Sequence, residues 1–203
     1  MITRRSFIGL VASLAVAREA LAAPADDAHA TIDAFYDVLL ATMKEGQKLG
    51  FAGRRERLAP AVTRAFDLPA MTRLVVGLQW QGFSPAEQQQ LITAFSDFSI
   101  ATYASEFDDY SGESFEVDRK ADPAPGNDLI VHTKLIQPQD KPVQLDYLLR
   151  SDQGKWRIID VYLSGTVSQL AARRSEFSAV LRQNGVAGLV ALLKQKTAQL
   201  AAG

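Results

Sequence analysis

Cysteine is absent from the 203-residue chain, and histidine occurs only twice, at His29 and His132. Without thiols there is no disulfide framework and no thiolate nucleophile. Two histidines so far apart in sequence make a His-rich metal site a poor reading. Charge of one sign is also missing: 22 basic residues face 23 acidic ones, for a net charge of -1. That balance leaves no basic footprint for nucleic acid. There is no glycine-rich phosphate loop, no nucleophile elbow and no metal-ligand motif. No segment approaches the ~20 apolar residues that a membrane span requires. What remains is 47% hydrophobic residues, enough for one globular domain with a sizeable core.

The N-terminus stands apart from that domain. Arg4 and Arg5 precede an apolar run from Phe7 to Ala17, and Ala20-Leu21-Ala22 follows as a small-x-small cleavage signal. This is the pattern of a bacterial secretory signal peptide. The expected division is therefore a signal over residues 1–22 and a single domain over residues 23–203, located in the periplasm after export. Thr3-Arg4-Arg5-Ser6-Phe7-Ile8 resembles a twin-arginine signal, and ordinary basic charge at the start of a leader reads equally well. Cleavage after Ala22 removes three basic groups and one acidic group, taking the net charge to about -3. Bulk charge then gives no attraction to anionic lipid.

Helical spacing opens the domain. Ile32, Phe35, Tyr36, Leu39 and Met43 mark a first amphipathic helix over about 27–44. A basic stretch, Gly53-Arg-Arg-Glu-Arg-Leu58, reads as a linker before a short helix at 59–66. Asp67-Leu68-Pro69 reads as a fresh N-cap, and Met71, Leu74, Val75 and Leu78 as the face of a third helix. Ser84-Pro85-Ala86-Glu87 is a capping box opening a helix to about Phe107, apolar over most of its girth. The period then changes to two. Strands are expected at 114–120, 129–137, 143–150 and 156–163, joined by short turns into an antiparallel meander. Thr166-Val-Ser-Gln169 reads as another capping box, Asn184-Gly185 as a C-cap, and Val186, Leu189, Val190 and Leu193 as a last helix. The expected fold is α+β, with about six helices on a curved four-stranded sheet.

One strand is odd. In Lys155-Trp-Arg-Ile-Ile-Asp-Val-Tyr-Leu163, strict alternation places apolar residues on both faces. An open antiparallel sheet normally keeps one face wet. A second apolar face needs more helices, a sharp curl or a ligand. The reading preferred here is an apolar cavity between the sheet and long helices, with a solid core as the alternative that periodicity does not separate from it.

The polar residues favour structural roles. Asp160, inside the apolar strand, has the setting of a general base with Tyr147 or Tyr162 as donor, against the reading of a held structural carboxylate. Glu106-Phe-Asp108-Asp109-Tyr110 lacks the ligand spacing of a hard-cation loop. Arg54, Arg55 and Arg57 are read as a solvated linker before a site for an anionic headgroup.

Two stretches resemble a known family. Gly77, Trp80, Ser84, Pro85, Gln88, Gln89, Phe95, Thr102, Tyr103 and Ala104 match the signature of the MlaC-type periplasmic lipid-binding family (the toluene-tolerance family). Asp146-Tyr147, Gly154, Trp156, Asp160-Val161, Gly165 and Arg174-Ser175-x-Phe177 match its second half. Departures at Leu163-Ser164-Gly165, Ala172-Arg173 and Gln81-Gly82-Phe83 are similar to the hopanoid-associated HpnM branch.

The resemblance implies a lipid carrier that is not an enzyme, with no cofactor beyond its cargo, a phospholipid or a hopanoid. It also implies an inner-membrane lipid transport complex and, in the mainstream branch, an outer-membrane lipoprotein complex as partners. A monomer is expected. The residues expected to line the pocket are Leu74, Val75, Leu78, Phe95, Phe98, Val131, Leu145, Tyr147, Ile159, Val161 and Leu163. The other strand parity, Ile130, Leu148, Ile158 and Tyr162, is nearly as plausible from pattern alone. A small cavity enzyme based on Asp160 and a ligand-free adaptor stand as alternatives.

Overall fold

The computed structural model describes residues 16–202, with side chains from Ala25 onward. Residues 1–15 of the expected signal lie outside the described residues. The elements run α1 (Val16–Lys44), α2 (Gly46–Ala65), α3 (Leu68–Val76), a 3-10 turn (Gly77–Gly82) and α4 (Pro85–Glu106). Then come β1 (Ser114–Ala124), β2 (Asp128–Ile136), β3 (Val143–Asp152), β4 (Lys155–Leu163), a short β5 (Val167–Ser168) and α5 (Gln169–Ala202). The fold is α+β; among the described residues it has five helices and one five-stranded antiparallel sheet in the order β1-β2-β3-β4-β5, the short β5 being added to the four strands expected. The sixth expected helix is the part of α5 beyond Gly185, whose non-helical backbone (φ 63°, ψ -165°) kinks the element where the C-cap was expected; α2 is likewise kinked at Gly50. Among the described residues no helix is long and apolar enough to cross a membrane.

Local chemistry accounts for the helix starts. The Asp67 carboxylate accepts from Ala70 N at 3.0 Å and caps α3, with Pro69 in the first turn. At α4, Glu87 Oε2 accepts from Ser84 N at 2.8 Å while Ser84 Oγ accepts from Glu87 N at 3.4 Å, the reciprocal pairing of a capping box. The start of α5 differs from expectation. Ser168, two residues past Thr166, is the cap: its Oγ accepts from Ala171 N at 2.9 Å. Thr166 lies instead in the turn between β4 and β5.

The basic stretch at 53–58 is helical, inside α2, and not a linker. Arg54 is buried and donates through Nε to the Ala104 carbonyl at 2.7 Å and through Nη1 to Gly46 O at 2.9 Å. It thereby ties the end of α4 to the start of α2. That start needs glycine, because a Cβ at Gly46 would meet Asp108 O at 2.1 Å. Arg55 pairs with Asp97 at 2.9 Å and Arg57 with Glu45 at 3.0 Å. Three cations that looked available in sequence are committed to the fold.

The sheet resolves the odd strand. Leu149 pairs with Ile158, but Leu148 pairs with Asp160, so Ile159 is an extra, unpaired residue. This is a β-bulge, which shifts side-chain parity by one. Ile158 before the bulge and Val161 and Leu163 after it share the face of Leu149, Tyr147 and Leu145. The apparently double-sided apolar strand is thus one continuous apolar face. On neighbouring strands that face carries Leu129, Val131, Phe115 and Val117. The opposite face holds Glu116, Lys134 and Gln144 in one cross-strand row and His132 with Asp146 in the next. The sheet therefore keeps one polar side, as antiparallel sheets usually do.

Helix α1 covers the apolar face of β1 and β2. Tyr36 stacks on Phe115 with centroids 4.1 Å apart, and Phe35 meets Phe66 and Tyr103 edge-on, each at 5.2 Å. Helix α4 reaches this aromatic group through Tyr103, and α2 and α3 follow near the start of β4. The link between α2 and α3 is fixed there: Asp67 N donates to Ile158 O at 2.9 Å, and Arg157 pairs with Asp67 at 3.0 Å.

Candidate functional site

The core is solid beneath β2 but not beneath the end of β4. A cavity of about 180 Å³ lies between β3–β4 and the helices α4 and α5. Leu145, Tyr147, Val161 and Leu163 of the sheet form its floor. Phe95 and Tyr103 of α4, with Phe107 just past its end, form one wall, Val62, Phe66 and Met71 line it from α2, the α2–α3 link and α3, and Leu170 from α5. The lining is mostly apolar, with a polar margin. Ser99, Thr102 and Glu106 face it from α4, while Gln169 and Arg173 face it from α5. The helix period explains both sets: 99, 102 and 106, like 169 and 173, recur every three or four residues and so share one side.

At Tyr147 the cavity meets a chain of buried hydroxyls. Tyr36 Oη lies 2.6 Å from Thr133 Oγ1 and 3.1 Å from Tyr147 Oη. Burial pushes the Tyr36 phenol up to about 12. It raises Tyr103 and Tyr147 as well, with the neighbouring phenols reinforcing the effect on Tyr147. These groups stay neutral across physiological pH, so they tie helix to sheet without placing charge in the cavity.

Asp160 touches the cavity, yet its oxygens are already engaged. Oδ1 accepts from Val161 N at 2.8 Å and from Leu170 N at 3.2 Å, while Oδ2 accepts from the Ser168 hydroxyl. A carboxylate receiving two backbone N–H groups and a hydroxyl at a helix start is a cap. This geometry is that of the structural reading of Asp160, with three of the carboxylate's roughly four acceptor sites taken by the fold.

At the rim, Glu106 and Arg173 respond to the same desolvation in opposite directions. Partial desolvation raises the carboxyl of the exposed Glu106, with Arg173 opposing. Burial lowers the Arg173 guanidinium, with Glu106 opposing. The guanidinium carbon of Arg173 lies 4.7 Å from the centroid of the Phe98 ring, a cation–π contact.

Of the residues proposed from sequence, Phe95, Leu145, Tyr147, Val161 and Leu163 come together around the cavity. The others lie elsewhere. Leu78 is 93% exposed because α3 ends at Val76 and Gly77, at φ 72°, turns the chain away from the helix axis. Leu74 is 42% exposed on the outer side of α3, whereas Val75 is buried in the core. Phe98 is buried under Arg173, Val131 is buried in the row that pairs with Tyr147, and Ile159 is the buried bulge residue. In the alternative parity, Ile158 joins the apolar face through the bulge, while Ile130, Leu148 and Tyr162 fall on the opposite one. Missing from the sequence reading were Val62, Phe66 and Met71, and the polar margin. The interruption of α4's apolar girth at Ser99, Thr102 and Glu106 was the available signal.

Outside the cavity, His132 bridges two carboxylates on the polar face of the sheet, Asp146 at 3.0 Å through Nδ1 and Asp122 at 3.2 Å through Nε2. Among the described residues there is no group of three or more side chains suited to a metal ion.

Comparison with known proteins identifies the architecture. The family model of MlaC protein matches residues 33–195. The chain belongs to the MlaC family. A phospholipid-binding protein from Ralstonia solanacearum, solved in complex with a phospholipid, superposes with a TM-score of 0.75 at 26% identity. The alignment covers 86% of this chain and 99% of that one. All five cavity-lining residues anticipated from sequence fall inside the region that the MlaC model matches. The same region contains Glu106 and Arg173.

Proposed function

We propose that this MlaC-family protein is a periplasmic lipid carrier, exported by the leader at residues 1–22, that holds lipid tails in the cavity and moves them between inner and outer membranes. The observation that carries this reading is the apolar cavity between β3–β4 and α4–α5, in a chain whose relative was solved with a phospholipid. Transferring each methylene from water is worth ~0.8 kcal/mol, so a 16-carbon tail gains about 12 kcal/mol on burial. Free diffusion of such a lipid through water is negligible, and the bilayer offers nearly the same gain. A carrier need only match the membrane, and its partners then set the direction of transfer. Those partners are an inner-membrane transport complex and an outer-membrane lipoprotein complex. The cargo is a phospholipid or, if the chain is of the HpnM branch, a hopanoid.

The cavity measures about 180 Å³, below the ~300–1,000 Å³ of usual small-molecule sites. Loading therefore requires the layers to part. One place on its border suits that movement. Leu163 is 40% exposed at the end of β4, and Ser164 and Gly165 follow it at positive φ, 53° and 73°. The reading is tested by purifying the protein, extracting it with organic solvent and analysing the extract by mass spectrometry. Stoichiometric co-purified lipid supports it. A lipid-free preparation that also takes up none from vesicles rejects it.

A further inference from the structure

Among the described residues, buried and half-buried arginines have partners, with one exception at the cavity. Arg54 holds two carbonyls, and Arg55, Arg57 and Arg157 pair with Asp97, Glu45 and Asp67. Arg173 is half-buried, lines the cavity and stacks on Phe98, yet among the described residues it makes no ion pair and donates no hydrogen bond. A guanidinium taken partly out of water without an anion is unfavourable, and its planar fork is suited to a phosphate.

Glu106 lies exposed on the same margin. It is the last residue of α4, where the helix dipole disfavours an anion, and among the described residues it too has no ion-pair partner. The two groups share a rim without closing on each other. On the same lining, the Ser99 and Thr102 hydroxyls donate within α4, to Phe95 O at 2.8 Å and Phe98 O at 2.9 Å. Their oxygens are left as acceptors along the same margin.

We propose that this margin between α4 and α5 is a headgroup subsite for a zwitterionic phospholipid, in which Arg173 holds the phosphate and Glu106 the ammonium group. The assignment rests on the tail-binding reading above and adds its headgroup chemistry. It moves the anion contact away from Arg54, Arg55 and Arg57, which the fold consumes. A hopanoid without a charged group would leave both rim residues unpaired.

The test presents the purified protein with vesicles of phosphatidylethanolamine, phosphatidylglycerol and dioleoylglycerol in equal parts, then extracts the re-isolated protein and quantifies the three lipids. The wild type is expected to take the ethanolamine lipid over the glycerol lipid, and both over dioleoylglycerol. Arg173→Gln should lower both phospholipids relative to dioleoylglycerol by roughly tenfold or more, the usual range for losing a charge-assisted hydrogen bond. Glu106→Gln should erase the preference for ethanolamine over glycerol while total phospholipid holds. If Arg173→Gln does not fold, Arg173→Lys keeps the charge and the stem but loses the fork, and a severalfold drop is expected from it. Wild-type lipid ratios in the folded Arg173 and Glu106 variants overturn the subsite while leaving tail binding intact. Failure of the wild type to take up any of the three lipids overturns tail binding and the subsite together.

Discussion

Replacing Asp160 with alanine separates a structural carboxylate from a catalytic one. The side chain accepts from two backbone N–H groups, Val161 N and Leu170 N, and from the Ser168 hydroxyl. Leu170 is buried, and orphaning its N–H costs about 1–3 kcal/mol. About 2 kcal/mol is a large share of the ~5–15 kcal/mol by which a domain is stable. With a urea m-value of about 2 kcal/mol/M, the unfolding midpoint should fall by about 1 M. Asp160→Asn keeps one acceptor oxygen and should fall by less. Urea unfolding followed by circular dichroism measures both, and vesicle uptake by the folded variants measures function. A midpoint unchanged from wild type in Asp160→Ala would refute the capping argument. Intact stability with abolished turnover of some substrate would restore the general-base reading.

Four further outcomes follow from the same geometry. Leu145→Trp places a larger ring on the cavity floor and should abolish lipid uptake while leaving a cooperative fold, read by solvent extraction and thermal melting. Arg54→Met removes both donors that satisfy the Ala104 and Gly46 carbonyls, and should cost about 3 kcal/mol in urea unfolding. For His132, burial pulls the imidazole down, but hydrogen bonds and charge from Asp146 and Asp122 outweigh it and raise the pKa above the usual 6.5. A raised folded pKa means the stabilisation is complete below 6.5 and fades as pH rises through the folded value. His132→Gln should therefore show a larger stability deficit at pH 5.5 than at pH 9, and equal deficits would contradict the pairing. Deleting Ile159 removes the bulge but leaves Ile158, Val161 and Leu163 opposite the same β3 partners on one face, so the variant should be destabilised by the lost buried side chain yet still unfold cooperatively; loss of cooperative unfolding would refute the bulge account.

Much of the architecture is visible in local pattern because local physics sets it. The Ser84–Glu87 box and the Asp67 cap need only neighbours three residues away, and the helical stripes of α1 and α4 need only their own period. The change to period two at Ser114 and the turns that follow mark an antiparallel meander in the same way. The family signature is likewise written along the chain, and the match over residues 33–195 agrees with it.

Other features depend on distant partners. Arg54 reads as a solvated cation until Ala104 and Gly46 are brought to it, and Leu78 reads as a core leucine until Gly77 turns the chain out of α3. The bulge at Ile159 is the clearest case. Alternation along β4 assigns its apolar residues to two faces, but register belongs to a pair of strands, and only the pairing with β3 shows that one residue is extra. Helical and strand periods are properties of a single segment and survive in sequence. Strand register, charge pairing and the space left between layers arise between segments, so they exist only once the chain has folded.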